Sequence, residues 1–236
     1  MRPIISQNEV TAIIQIYYME RLKYLIEILD HIKRGSFVPG TIMLWANKYQ
    51  HRDLWHSLDE ADLKIVCTDF NTLTGRYAAA LVAKTPYIFV QDDDLTVGKH
   101  TIRDLVQEAA EGGHIAGIAG KDLKLSSKPY TDGKDVSKGR ADMALGRCWA
   151  AHRSCLVPGI NYIMQNSFEV GRCDDIIFNL TSGGANIIEP KADNVINNLD
   201  EEGKGLSHEP NHYNERNEVA YKVMKELMGG WSASKR

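Results

Sequence analysis

The chain has 236 residues, 43% hydrophobic and 25% charged, a composition that excludes a disordered or fibrous protein and fits an ordinary folded domain. A net charge of −3 supplies no global attraction to nucleic acid or to an anionic membrane. No run approaches the ~20 apolar residues of a membrane helix, and the N-terminus MRPIISQNEV lacks the charged-then-apolar layout of a signal peptide, so the expectation is a cytoplasmic protein.

The first half alternates in type. VTAIIQIY (10–17) has the apolar content of a buried strand, and MERLKYLIEILDHIK (19–33) repeats Leu22, Leu25, Ile26, Leu29 and Ile32 at helical spacing. GTIMLWAN (40–47) is a second strand, followed by a short helix around 52–58 and a strand over 63–68. A helix is expected over 72–83, a strand over 85–91, a helix over 100–110 and a strand over 114–120. Strands alternating with helices predict an α/β fold with a mostly parallel sheet flanked by helices.

Beyond residue 120 the pattern loosens. A polar stretch from Lys121 to Lys138 precedes ADMALGRCWAAHR, a strand leading into a helix start. Between Lys121 and Arg140, Lys121, Lys124, Lys128, Lys134, Lys138 and Arg140 outnumber Asp122, Asp132 and Asp135, which is either a solvated loop or a local patch for an anionic partner. DDIIFNLT (174–181) reads as helix, ANIIEP (185–190) as a short strand, 194–209 as a loop, and HYNERNEVAYKVMKELM as a last helix stopping at Gly229 and Gly230. With no repeat and no linker-like break, the expectation is one domain, 1–236, with two functional halves (about 1–120 and about 121–236). The four cysteines, Cys67, Cys148, Cys155 and Cys173, show no metal or redox spacing.

The chemistry centres on YIFVQDDDLTV, where an apolar strand runs into Asp92, Asp93 and Asp94. Ligands of open α/β sheets bind beyond the carboxyl ends of the strands, where these residues would sit. Three adjacent carboxylates repel one another unless a cation neutralises them, and hard Mg²⁺ or Mn²⁺ takes one or two carboxylates plus phosphate oxygens. The cluster Asp92, Asp93 and Asp94 is the candidate metal site, with a nucleoside diphosphate as co-ligand. An EF-hand is excluded because Gly98 falls seventh, not sixth, from Asp92. A second pair, Asp174 and Asp175, opens the helix of GRCDDIIFN, where N-capping explains one of them and a catalytic carboxylate the other. Arg76 and Arg216, the latter one turn after His212, are candidates for countering diphosphate charge.

Taken in order, these motifs resemble the exostosin-type glycosyltransferase domain of the GT-A class, with its Rossmann-like fold. The resemblance runs through AIIQIYYMERLKYLIEIL, MLWANK, Asn71 and Arg76 at a five-residue spacing, YIFVQDDD, GRCDDIIFN, and His212 with Arg216. It implies a metal-dependent transfer of a sugar from a UDP-sugar to a hydroxyl acceptor, with retention of configuration. Position by position, it implies that Asn47, Asn71, Arg76 and His212 hold the donor and that Asp92 and Asp93 contact ribose and sugar. Asp94 would bind Mn²⁺ (or Mg²⁺), Asp174 and Asp175 would sit at the reacting centre, and Arg216 would counter the leaving phosphate. The cysteine that pairs with Cys173 in that family has no counterpart in ERNEVAYKV, and the family's membrane anchor is missing, which favours a microbial or viral cytoplasmic enzyme. The acceptor is expected to be a glycan, a small molecule or, given the basic segment, a hydroxymethylated DNA base. A sugar nucleotidyltransferase would need a glycine-rich phosphate loop after the first strand, and IIQIYYMERLKYL has no glycine. A non-catalytic nucleotide- or carbohydrate-binding module on the same fold is the other alternative.

Overall fold

A computed structural model describes residues 3–47, 63–67, 73–166, 173–189, 197–199 and 209–233. The expected helix over 52–58 and Asn71 lie outside the described residues. Strand β1 (Val10–Ile16) leads through a 3-10 turn (Met19–Tyr24) into α1 (Leu25–Arg34) and β2 (Thr41–Asn47). Then come β3 (Leu63–Cys67), α2 (Gly75–Val82), β4 (Tyr87–Asp92), β5 (Leu95–Thr96) and α3 (Thr101–Gly112). Short strands β6 (Ile115–Gly117), β7 (Gly120–Asp122), β8 (Lys134–Val136), β9 (Gly139–Ala141) and β10 (Met143–Ala144) precede β11 (Cys148–His152). The chain continues through α4 (Val157–Asn166), α5 (Asp174–Thr181), β12 (Ala185–Ile187), β13 (Asn197–Asn198) and α6 (His212–Ala233).

Eight strands form the main sheet in the order β3-β2-β1-β4-β11-β6-β12-β9. The first four are mutually parallel, as are β6 and β12, while β11 and β9 run against their neighbours. Every residue of β1 is buried, as a strand covered on both faces requires. Alternate residues divide the core between the two faces. Val10, Ala12, Ile14 and Ile16 pack in the cluster that holds Leu25, Ile28, Leu29 and Ile32 of α1 and Ile102, Leu105 and Val106 of α3. Ile13, Ile88 and Val90 lie in the other, with Tyr77 and Ala80 of α2 and Phe178 of α5. There the Tyr77 ring stacks on Phe178 at 3.7 Å between centroids. The expected α/β architecture with a mostly parallel, helix-flanked sheet is therefore the observed one.

The chain leaves β1 toward β2 and β3 and returns on its other side as β4. This reversal opens a crevice at the carboxyl ends of β1 and β4, the position where doubly wound sheets bind ligands. In register, Gln15 of β1 lies opposite Asp92 of β4, so the aspartate turn emerges beside Tyr17 and Tyr18.

Several elements differ from the sequence expectation. The polar stretch 121–138 is not only loop: β7 pairs with β10 and β8 in a three-stranded sheet. Within 194–209, β13 pairs with β5. The helix start expected after ADMALGRCWAAHR is realised as α4, which runs through Pro158 and Gly159. Gly159 lets the helix approach Phe178, where a Cβ would come within 2.5 Å of the ring. α6 continues through Gly229 and Gly230 to Ala233, since glycine costs a helix only ~1 kcal/mol per residue.

Candidate active site

The aspartate turn is held by arginines. Asp93 is the most enclosed of the trio: its Oδ2 accepts from the backbone N–H of Tyr17 (2.7 Å) and of Tyr18 (3.3 Å), and its Oδ1 from Nη1 of Arg21 (2.9 Å). Nη2 of the same guanidinium contacts Asp94 Oδ2 at 2.9 Å. On the other flank Arg76 Nη1 donates to Asp92 Oδ1 (3.0 Å) and to the Gly146 carbonyl (2.8 Å), while its Nε donates to Asp174 Oδ2 (2.9 Å). One guanidinium thus joins the end of β4 to the start of α5. Asp175 is bound through Oδ2 to Arg216 Nη2 at 2.8 Å, and its Oδ1 accepts from the Ile176 N–H, so both aspartates occupy the positive first turn of α5.

Local packing explains these placements. α2 can start beside β2 only because residue 75 is glycine: a Cβ there would fall 2.1 Å from Trp45 Nε1. That nitrogen donates to Asn47 Oδ1 (2.9 Å), which orients the buried Asn47 side chain at the carboxyl end of β2. A Cβ at residue 146 would come within 2.9 Å of Arg76 Nη2, so glycine there gives the guanidinium its room. Arg216 lies over the Tyr130 ring at 4.3 Å, and His212, one turn earlier, is buried with its ring edge-on to Tyr213. Below the trio, Gln91 Nε2 donates to the Leu95 carbonyl and closes the turn.

Five carboxylates meet three guanidinium groups here, a surplus of two negative charges when all are ionised. Burial pushes the Asp92 carboxyl up to about 8; Arg76 opposes the shift, and Asp94 and Asp93 add to it. Asp93 rises to about 6, again through burial, with Arg21 and the Tyr17 N–H working the other way. Asp174, fully enclosed, is raised by burial despite Arg76, and among the described residues its Oδ1 has no hydrogen-bond partner. Cys173, just before α5, is a free, buried thiol pushed up to about 12 by burial.

Among the described residues no three His, Cys, Asp or Glu side chains gather as a protein-only metal site. Within the trio, however, Asp92 and Asp94 have side chains 31% and 21% exposed, against 4% for Asp93. Two solvent-reached carboxylates fit a hard cation that takes its remaining ligands from a diphosphate and water. Asp93 is instead the anchor of the turn.

Sequence reasoning missed Arg21, Tyr130 and Gly146. Only Arg21 carried a usable signal: a cation in the first turn after β1, at the sheet end where the aspartates emerge.

Residues 10–105 match the model of the glycosyl transferase family 64 domain, a span that includes Arg21, Asn47, Arg76 and Asp92–Asp94 but not α5 or α6. In three dimensions the chain is similar to residues 1–349 of S. aureus TarS in complex with UDP-GlcNAc, with 14% identity, 86% of this chain and 61% of that chain covered, and a TM-score of 0.57. It is also similar to the structure of S. aureus TarS 1–349, with 12% identity, 78% and 59% coverage, and a TM-score of 0.51. The chain thus spans about three fifths of the length of these TarS structures. No curated protein matches the sequence. The family match supports a glycosyltransferase, and the structural likeness shows the fold. No helix among the described residues is long and apolar enough to cross a membrane.

Proposed function

We propose that the protein is a metal-dependent glycosyltransferase of exostosin type, moving a sugar from a UDP-sugar to a hydroxyl acceptor with retention of configuration. One observation carries this reading: Arg76 bridges Asp92 and Asp174, so the carboxylates suited to a metal diphosphate and those suited to the reacting centre share one crevice. The family match supports the reaction class, and the bound UDP-GlcNAc of the TarS structure favours a UDP-sugar as donor.

In this reading Asp92 and Asp94 hold Mn²⁺ or Mg²⁺, which when bound neutralises the diphosphate and eases departure of UDP. Asn47, Asn71 and His212 orient the donor, and Asp93 fixes the turn and contacts the sugar side. Arg76 holds Asp92 and Asp174 in place and adds positive charge at the phosphates. Asp175 faces the anomeric carbon and the acceptor hydroxyl. Arg216, already paired with Asp175, would counter the charge that develops on the leaving phosphate. Residues 1–120 then form the donor half and 121–236 the acceptor half of one domain.

Screening UDP-sugars for Mn²⁺-dependent hydrolysis without acceptor tests the assignment, and no hydrolysis of any of them would sink it. Asp94→Ala is expected to weaken UDP binding in Mn²⁺ by about tenfold or more while leaving metal-free binding unchanged. Unchanged binding in calorimetry would remove Asp94 from the metal.

Three cations of the basic segment are partnered within the chain: Lys121 pairs with Asp135, Lys138 with Glu189, and Arg140 donates to the Gly183 carbonyl. That pairing favours a glycan or small-molecule acceptor over hydroxymethylated DNA. Raising salt from 50 to 200 mM should lower transfer by less than about tenfold, whereas an acceptor gripped through 6–10 phosphates would lose about 10³-fold or more.

A further inference from the structure

Arg21 is bound into the aspartate turn more tightly than a helix-surface arginine would be. It sits in the 3-10 turn that follows β1, is only 9% exposed, and reaches across from β1 to β4. Its two terminal nitrogens divide between two carboxylates: Nη1 to Asp93 Oδ1 and Nη2 to Asp94 Oδ2, both at 2.9 Å. Beneath the guanidinium lies the Tyr18 ring, 4.9 Å from its centre, and the Arg21 N–H donates to the Tyr18 carbonyl at 3.0 Å. The backbone of the same turn supplies the two N–H groups that hold the other oxygen of Asp93.

This is an asymmetric fork. Its Asp93 arm ends on a carboxylate that is enclosed and already held by the Tyr17 and Tyr18 N–H groups, so that arm cannot swing. The planar guanidinium then fixes the second arm relative to the first, and with it the Asp94 carboxylate. Asp94 would otherwise turn freely about its side-chain bonds in a partly solvated turn, 21% exposed. A lysine, with one charged atom, can neutralise either carboxylate but cannot hold both at a set angle.

We infer that Arg21 is a positioning residue for the cation: by locking one oxygen of Asp94 against the rigid Asp93, it sets the direction in which the other oxygen meets the metal. The inference rests on the proposed role of Asp94.

Titration of UDP binding against Mn²⁺ on the full chain provides the test, using Arg21→Lys, Asp94→Asn and the double variant. Arg21→Lys is expected to raise the Mn²⁺ concentration for half-maximal enhancement about tenfold, with metal-free UDP binding within about twofold of the parent. In the Asp94→Asn background the same lysine should have no further effect on UDP affinity, because the effect runs through Asp94. An unchanged Mn²⁺ midpoint, an equal fall in metal-free binding, or a full additive effect in the double variant would each overturn the inference. If Mn²⁺ does not enhance UDP binding by the parent protein, the metal reading itself fails, a result distinct from any of these.

Discussion

Arg76→Met should cost about 3–5 kcal/mol of folding free energy, read as a shifted midpoint in urea denaturation, because it strands two carboxylates that one guanidinium now serves. Asp174 has no solvent exposure, and Arg76 Nε donates to its Oδ2. Methionine fills much of the volume but offers no donor. The Asp174 carboxyl, already raised, would then rise further, and the folded variant would hold a proton that the unfolded chain releases above ~4. Such a group gives its full stability below the unfolded pKa and loses it as pH rises. The variant should therefore come closest to the parent near pH ~4 and fall furthest behind at neutrality. A loss under about 1 kcal/mol would mean that the carboxylates find other partners, and the bridge would not be the element that joins the two halves of the site.

Asp175→Asn should lower turnover by about 10²–10³-fold while leaving UDP-sugar affinity within about threefold of the parent. Asparagine keeps the shape and an oxygen toward the Ile176 N–H, so the start of α5 should persist. What disappears is the negative charge beside Arg216, on the side where an electron-poor anomeric carbon would form. Comparing kcat with donor affinity from calorimetry separates the two roles. Full turnover in this variant would reduce Asp175 to a helix-terminus residue.

The sequence carried the framework because its signals are local. A strand buried on both faces leaves a continuous apolar run, as at 10–16, and an amphipathic helix leaves a stripe, as at Leu25, Ile28, Leu29 and Ile32. Carboxylates at a strand end are visible for the same reason. What escaped was tertiary. Arg21 occupies a polar position in a helical pattern, and only the passage of β4 beside β1 turns it inward. The three-residue strands β7 and β8 lie in a Gly-, Ser- and Lys-rich stretch where no alternation can develop. Tyr130 meets Arg216 across 86 positions, beyond any spacing rule.

One detail of the aspartate turn bears on how the chain reaches its final shape. Asn197 and Asn198 pair with Thr96 and Leu95, and the Leu199 N–H donates to the Asp94 carbonyl at 2.7 Å. On the ribosome, β1, β2 and β4 could associate as soon as the first hundred residues emerge. This corner waits for a segment synthesised another hundred residues later, and closing so long a loop is slow. During translation the crevice is consequently the last part of the sheet's edge to set.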